Sequence, residues 1–341
     1  MDYPDRRPSP PTYAVAPSAP VKHTVTQSYS DVSPRTPSTA QVSRRGTFGL
    51  AGVAVALASA GCASAVGPVR LGSAQPRGQF HHFASALAAA AASHSRIRIE
   101  PVVTQGSVTN LRLLAHGDID AALVLGDSVP ESTRALAIGR VHECYIQVAV
   151  RPDSPISRLG DLRGRRIDLG LPGSGSARTG VRLLHTTGLR PGIDVTVEHR
   201  ALTAAVRALR NREVDAILWG DEVPTPAFDL PMRLRLLDLA DWVIPMHRRF
   251  GYPYDQVRVP MNTYPGSTAI DTVGVPTLLL TSPHLTNSTV TAIAELLLNY
   301  GDKLVPTHTI SFQFLDRRWL VGTGQVPLHP AAAAYYRTGH G

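Results

Sequence analysis

Four glycines and three hydroxyl residues crowd the eleven positions from Gly170 to Gly180, "GLPGSGSARTG", with Arg178 among them. The apolar pattern "VRLLHTTGL" follows, so the stretch leads into a helix. Glycines there bring backbone N–H groups close to something negative, and a helix N-terminus adds its positive dipole end. Three chemistries suit such a loop: a nucleotide phosphate cradle, a nucleophile, or a site that only holds an anion. The phosphate cradle fails on spacing. Gly175 to Gly180 satisfies G-x-x-x-x-G, yet Val181 and Arg182 stand where Lys and Ser or Thr must follow. Gly170, Gly173 and Gly175 do not make G-x-G-x-x-G either. A nucleophile elbow needs Gly two residues before its Ser. Pro172 holds that place for Ser174, and Ser174 holds it for Ser176.

A holding site remains. A second corner, "TQGSVTN", offers Gly106 and Ser107 ahead of another helical pattern. Two such corners would aim N–H groups at a carboxylate, with the hydroxyls of Ser107, Ser174 and Ser176 as further donors. Arg178 could form a bidentate pair with the same carboxylate, or stand in solvent. The plainer alternative is that both corners are ordinary helix caps. His81 and His82 are adjacent, so on a helix they point about 100° apart and chelate a metal poorly together. No metal and no cofactor is expected. Asp221 and Glu222, in "WGDEVP", could act as an acid and base pair; more simply they bind an amine or face solvent.

The elements that position these residues come from periodicity. "VRLGSA" is a strand entering a loop, and "HHFASALAAAAASHS" is an Ala-rich helix. "RIRIEPVVT" alternates as a strand. "SVTNLRLLAHG" is a helix with Ser107 as its N-cap and Gly117 as its stop, and "IDAALVL" is a buried strand. About a hundred residues on, "ALTAAVRALRNREVDAILW" repeats the pattern, with Asp215 matching Asp120 and Ala216 matching Ala121. Either two similar corners arose by chance, or the chain has two lobes of like construction on largely parallel sheets. Past residue 225 the chain turns Pro-rich, and "FGYPYDQVRVPMNTYPG" is not a helix. "DTVGVPTLLLT" is an apolar strand and "TNSTVTAIAELLLNYGDKLV" a capped amphipathic helix. A chain that leaves one lobe and later returns places a cleft between them.

At 43% hydrophobic and 18% charged, the composition supports a core. The net charge of +8 comes from scattered Arg, with 6% aromatic residues and no basic–aromatic interleaving, so no nucleic-acid partner is expected. Cys62 and Cys144 are the two cysteines, too few for a disulfide framework. Residues 1–42 are rich in Pro, Ser and Thr and read as disordered. Residues 43–65 contain Arg44-Arg45, an uncharged run from Gly46 to Gly61, and small residues around Cys62. That run reaches about 24 Å as a helix, short of a hydrocarbon core of about 30 Å. It fits a signal peptide, with a twin-arginine or general secretory route, and with Cys62 as a lipidation site or ordinary cleavage nearby.

Four ordered motifs resemble the TAXI solute-binding proteins of tripartite ATP-independent periplasmic (TRAP) transporters. These are "QGSVTNLRLLAHGDIDAALV", "LGDLRGRRIDLGLPGSGS", "VPMNTYPGSTAIDTVGVPTLLLT" and "VPLHPAAAAYYRTG". The resemblance implies an α/β protein of the type II periplasmic-binding-protein class, with two α/β lobes, a ligand cleft and a two-crossover hinge. Residues 66–341 would form it, with lobe 1 at about 66–151 and 272–341 and lobe 2 at about 152–271. It also implies an exported, non-enzymatic receptor that delivers a small carboxylate, glutamate-like or dicarboxylate, to a TRAP-type permease. By matching positions, Ser107, Asn110, Ser174, Gly175 and Ser176 are ligand-side residues. The first loop departs from the family's Gly-Gly-Thr-Tyr-Tyr: in "PRGQFHHF", Gly78, Phe80 and His81 occupy similar places without the hydroxyls. His81 could hydrogen-bond the ligand or sit at the cleft rim. A lipid on Cys62 would hold the receptor on the outer face of the cytoplasmic membrane; without it the protein is secreted. Two other functions remain open on the same fold: a ligand-sensing partner of a signalling protein, and a small-molecule enzyme.

Overall fold

The computed structural model describes residues 67–225, 233–305, 309–310 and 315–338. These residues all fall within one compact unit, Cys62–Gly341. The leader, with Arg44-Arg45 and Cys62, lies outside the described residues.

The first half runs β1 (Val69–Gly72), α1 (Gln79–His94), β2 (Ile99–Val102), α2 (Ser107–His116) and β3 (Ala121–Leu125). β1 pairs in parallel with β2 on one side and β3 on the other. The Ala-rich α1 buries Phe83, Leu87, Ala90 and Ala91, a stripe at helical spacing. Gly117 ends α2 in the left-handed region at φ 77. β3 is buried along its whole length, as a strand covered on both faces must be.

β4 (Leu136–Val150) then carries the chain into a second half: β5 (Arg166–Asp168), α3 (Gly175–Thr186), β6 (Thr196–Glu198), α4 (Leu202–Arg210) and β7 (Ala216–Asp221). Here β5 pairs in parallel with β6 and β7, as β1 does with β2 and β3. The short β8 (Arg235–Leu236), α5 (Ala240–Phe250) and β9 (Asp255–Val259) follow, and β10 (Ile270–Thr281) returns the chain. α6 (Asn287–Asn299), α7 (Gly301–Leu304), α8 (Arg317–Leu320) and α9 (Pro330–Thr338) complete the described fold.

The sheet order is β2-β1-β3-β10-β4-β7-β5-β6. β10 lies antiparallel to β3 and to β4, and β4 antiparallel to β7. Each half therefore has strand order 2-1-3 closed by a long strand of opposite sense. This is the type II periplasmic-binding-protein topology, with both connections between lobes made by β4 and β10. The register between those two strands slips at Thr277/Leu278 and at Leu279/Leu280, and such bulges bend a strand pair.

The echo between "GDIDAALV" and "REVDAILW" is a repeated set of bonds. The Arg70 N–H donates to Asp120 Oδ2 at 2.8 Å, and the Arg166 N–H donates to Asp215 Oδ2 at 2.9 Å. Arg70 Nη2 donates to the Gly117 carbonyl at 2.8 Å, and Arg166 Nη2 to the Arg212 carbonyl at 2.9 Å. Gly117 and Arg212 both have left-handed φ, 77° and 63°. In each lobe an Arg at the first strand thus clamps the turn between a helix and the neighbouring strand.

Two elements differ from the sequence reading. Gly106, with φ 112, is the N-cap of α2, and Ser107 is its first helical residue. α5 forms in the Pro-rich region despite Pro245 in its interior. An interior Pro costs about 3 kcal/mol. Burial of Val243 and Met246 against the core, at about 1.5–3 kcal/mol each, offsets that cost.

Candidate functional site

α1, α2 and α3 each follow a parallel strand, so their N-termini gather at the carboxyl ends of the strands. Open α/β sheets bind ligands at that edge. A cavity of about 870 Å³ lies there, walled by the loops before the three helices, by α4 and by the end of β7.

Glycines let the two lobes touch beside it. The Val108 and Thr109 N–H groups, in the first turn of α2, donate to the Gly173 carbonyl at 3.0 and 3.2 Å. A Cβ on Gly106 would lie 3.3 Å from Ser174 Cα, and one on Gly173 would strike Thr109 and Gln105. A Cβ on Gly175 would lie 2.5 Å from Ser107 Oγ and 2.8 Å from the Leu125 side chain. The contact therefore tolerates no side chain at Gly173 or Gly175.

The helix N-termini are not equally open. That of α2 is occupied by Gly173, as above. At α1, the Gln79 N–H donates to Asp221 Oδ1 at 2.9 Å, so a carboxylate from the other lobe already sits there. At α3, Ser174 Oγ accepts the Ala177 N–H at 3.1 Å as an N-cap. Ser176 Oγ accepts the Gly220 N–H at 3.0 Å. The Gly175 and Ser176 N–H groups have no acceptor among the described residues. The first turn of α3 thus keeps two such groups, whereas α2 spends the Val108 and Thr109 N–H groups on Gly173.

Of the residues singled out from sequence, Gly78, Gly106, Ser107, Ser174, Gly175 and Ser176 line the cavity. Ser107 is committed internally, its Oγ accepting the Leu125 N–H at 2.9 Å. Asn110, His81 and Arg178 stand apart from the lining. Asn110 is fully buried. Its Nδ2 donates to the carbonyls of Ser73 (2.7 Å) and Leu123 (2.8 Å), and its Oδ1 accepts from Thr104 Oγ1 (2.6 Å). It ties the ends of β1 and β3 together from outside the cavity lining. His81 turns to Ser73 Oγ, 3.1 Å from Nδ1, and Arg178 is exposed. His82 lines the cavity instead, with Nδ1 3.3 Å from Glu222 Oε1.

Sequence reasoning missed three cations and an amide. Arg77, Arg207 and Arg210 line the cavity, and none forms an ion pair or side-chain hydrogen bond among the described residues. Arg207 and Arg210 lie three residues apart on α4, exposed beside the strip that buries Val206 and Leu209. That spacing was visible in "VRALR", but nothing in the sequence aimed that face at a cleft. Gln79 is buried and lines the cavity, and neither Nε2 nor Oε1 has a hydrogen-bond partner among the described residues. Burial pushes the Asp221 carboxyl up to about 7. The hydrogen bond to Glu222 raises the His82 pKa.

A sequence model of the NMT1-like family matches residues 71–338, most of the chain. The chain belongs to the NMT1-like family. Among solved structures, it is similar to the periplasmic aliphatic sulphonate binding protein SsuA from Escherichia coli, at 17% identity and TM-score 0.42, over 79% of this chain and 78% of that one. It is also similar to the substrate binding protein of an amino acid ABC transporter, at 18% identity and TM-score 0.46, over 70% and 97%. A third is the effector binding domain of QuiR in complex with shikimate, at 14% identity and TM-score 0.47, over 70% and 98%. Among the described residues of this NMT1-like protein, no helix is long and apolar enough to cross a membrane.

Proposed function

We propose that this NMT1-like protein is an extracytoplasmic solute-binding receptor whose lobes close on a small carboxylate. One observation carries the reading: three uncommitted arginines, Arg77 from lobe 1 and Arg207 and Arg210 from lobe 2, line the same cavity as the open N-terminus of α3. Exposed guanidinium groups at the rim draw an anion in, and helix N–H groups meet a carboxylate without further adjustment. Each charge-assisted hydrogen bond made there contributes about 1.5–3 kcal/mol. The motif resemblance favours a TAXI protein that serves a TRAP-type permease, and the leader favours export with a lipid on Cys62. We read the protein as a binder rather than an enzyme, since Asp221 Oδ1 is already engaged by the Gln79 and Glu222 N–H groups.

Calorimetry against amino acids, dicarboxylates, 2-oxoacids and sulphonates, with native mass spectrometry of the freshly purified protein, tests the reading. A small acid should bind with a one-to-one stoichiometry and be displaced at high salt. Binding of a neutral sugar or a cation, with every acid inert, would sink it.

A further inference from the structure

Beside the anion-binding features, the cavity has a second polar wall of different character. It is formed where α1 of lobe 1 meets the end of β7 in lobe 2. Gln79 is 2% exposed, lines the cavity, and leaves both its amide nitrogen and its amide oxygen without a partner among the described residues. A buried amide in that state costs free energy on both atoms until something binds it. Asp221, 7% exposed, lines the same wall, with Oδ1 fixed by the Gln79 and Glu222 N–H groups. Glu222, 1% exposed, lies behind it with His82 as its partner and Oε2 unpaired among the described residues. The charged and titratable groups around this wall include His82 on α1, Arg77 in the loop before it, Cys144 on β4, Asp221 at the end of β7 and Glu222 after it.

A second carboxylate seated at this wall would lie against Asp221 and Glu222, and like charges brought together in a poorly solvated site repel. A group with N–H donors would instead satisfy Asp221 and Gln79 Oε1. An ammonium would leave Gln79 Nε2 unpaired, because it accepts nothing. A carboxamide both donates and accepts, so it completes both atoms of Gln79. We propose that the ligand is a monocarboxylate that also carries a carboxamide, and that Gln79 and Asp221 form the subsite for that amide and exclude dicarboxylates. This rests on the receptor reading above and narrows its ligand class.

The test compares dicarboxylates with their own monoamides, from three to six carbons, by calorimetry at pH 8, with the matching amine-ended acids alongside. At the best chain length the monoamide should bind at least about tenfold tighter than the diacid, the discrimination that one like-charge contact provides. Asp221→Asn keeps an oxygen for the Gln79 and Glu222 N–H groups while removing the charge, and should gain diacid binding until the gap closes. Gln79→Leu keeps the volume and the backbone N–H, and should weaken the amides while leaving the diacids as they were; it decides the matter if Asp221→Asn fails to fold. A diacid that binds as well as its amide, an amine-ended acid that binds better, or an unchanged ratio in these variants would overturn the subsite and leave the receptor standing. Failure of every acid, amide-bearing or not, would overturn both.

Discussion

The Gly173 carbonyl of lobe 2 accepts the Val108 N–H of lobe 1 at 3.0 Å. The same oxygen accepts the Thr109 N–H, so a backbone carbonyl caps a helix in the opposite lobe. The closed arrangement thus has its own hydrogen bonds, and close backbone approach at this point decides whether the cleft can shut.

Gly175→Val should weaken ligand binding by about a hundredfold or more, ~2.7 kcal/mol or above. The new Cβ would collide with Ser107 Oγ and Leu125, and the branch would force the lobes apart. Ser174→Ala removes a cap of about 1 kcal/mol and should do less. Small-angle scattering with saturating ligand should show Gly175→Val still open; equal compaction of variant and parent would refute the steric account.

Arg207→Ala and Arg210→Ala should each lower affinity by about two- to fivefold and leave folding unchanged. Exposed ion pairs contribute ~0.2–1 kcal/mol, and both side chains sit at the cavity's rim. Their contribution should shrink with added salt, since screening acts over about 8 Å at physiological ionic strength. Titrations at two salt concentrations check this. A salt dependence identical to that of the parent would show that neither Arg meets the ligand.

Asn110→Ala should destabilise the protein by on the order of 3 kcal/mol, because it removes the buried amide's bonds to the Ser73 and Leu123 carbonyls and to the Thr104 hydroxyl. The denaturant midpoint reports the loss. An unchanged midpoint with lost ligand binding would return Asn110 to the binding site.

Asp221 predicts a pH dependence of stability. Its pKa is raised from an ordinary 3.8 to about 7 by burial. The folded state therefore holds a proton that the unfolded chain has released. The contribution is full below pH 4 and is lost as pH rises through 7, at about 1.4 kcal/mol per pH unit for one group. Asp221→Asn should remove that slope, so its advantage in melting temperature over the parent should grow between pH 5 and pH 8. A constant difference would show that Asp221 does not titrate in that window.

The lobes were legible in the sequence because their signals are local. Asp120 and Asp215 each precede an apolar strand within a short corner, and the Arg clamps confirm that the corners are equivalent. α5 was not legible, because Pro245 contradicts a helix and only long-range burial of Val243 and Met246 overrides it. The α3 loop showed its Gly and Ser, yet nothing showed that the Gln79 N–H of α1 is taken by Asp221 and the Val108 and Thr109 N–H groups of α2 by Gly173. Those acceptors are far away in sequence; Gln79 and Asp221 are 142 positions apart. The choice between His81 and His82 depends on helical rotation, about 100° per residue, which a loop of irregular length does not fix.

β4 and β10 run side by side and are paired over Val273–Thr281 and Leu136–Ile146, with two register shifts beside β3. Two ropes tied to each other cannot slide independently, nor can one twist while the other stays still. What is left is a swing about a single line across both, like a door on a strip of leather. Such a door has one jamb, the side away from the strands. In a receptor of the kind proposed, solute would arrive and depart by that one gap, and a partner that props it open would have to press on the rim around Gly106 and Gly173.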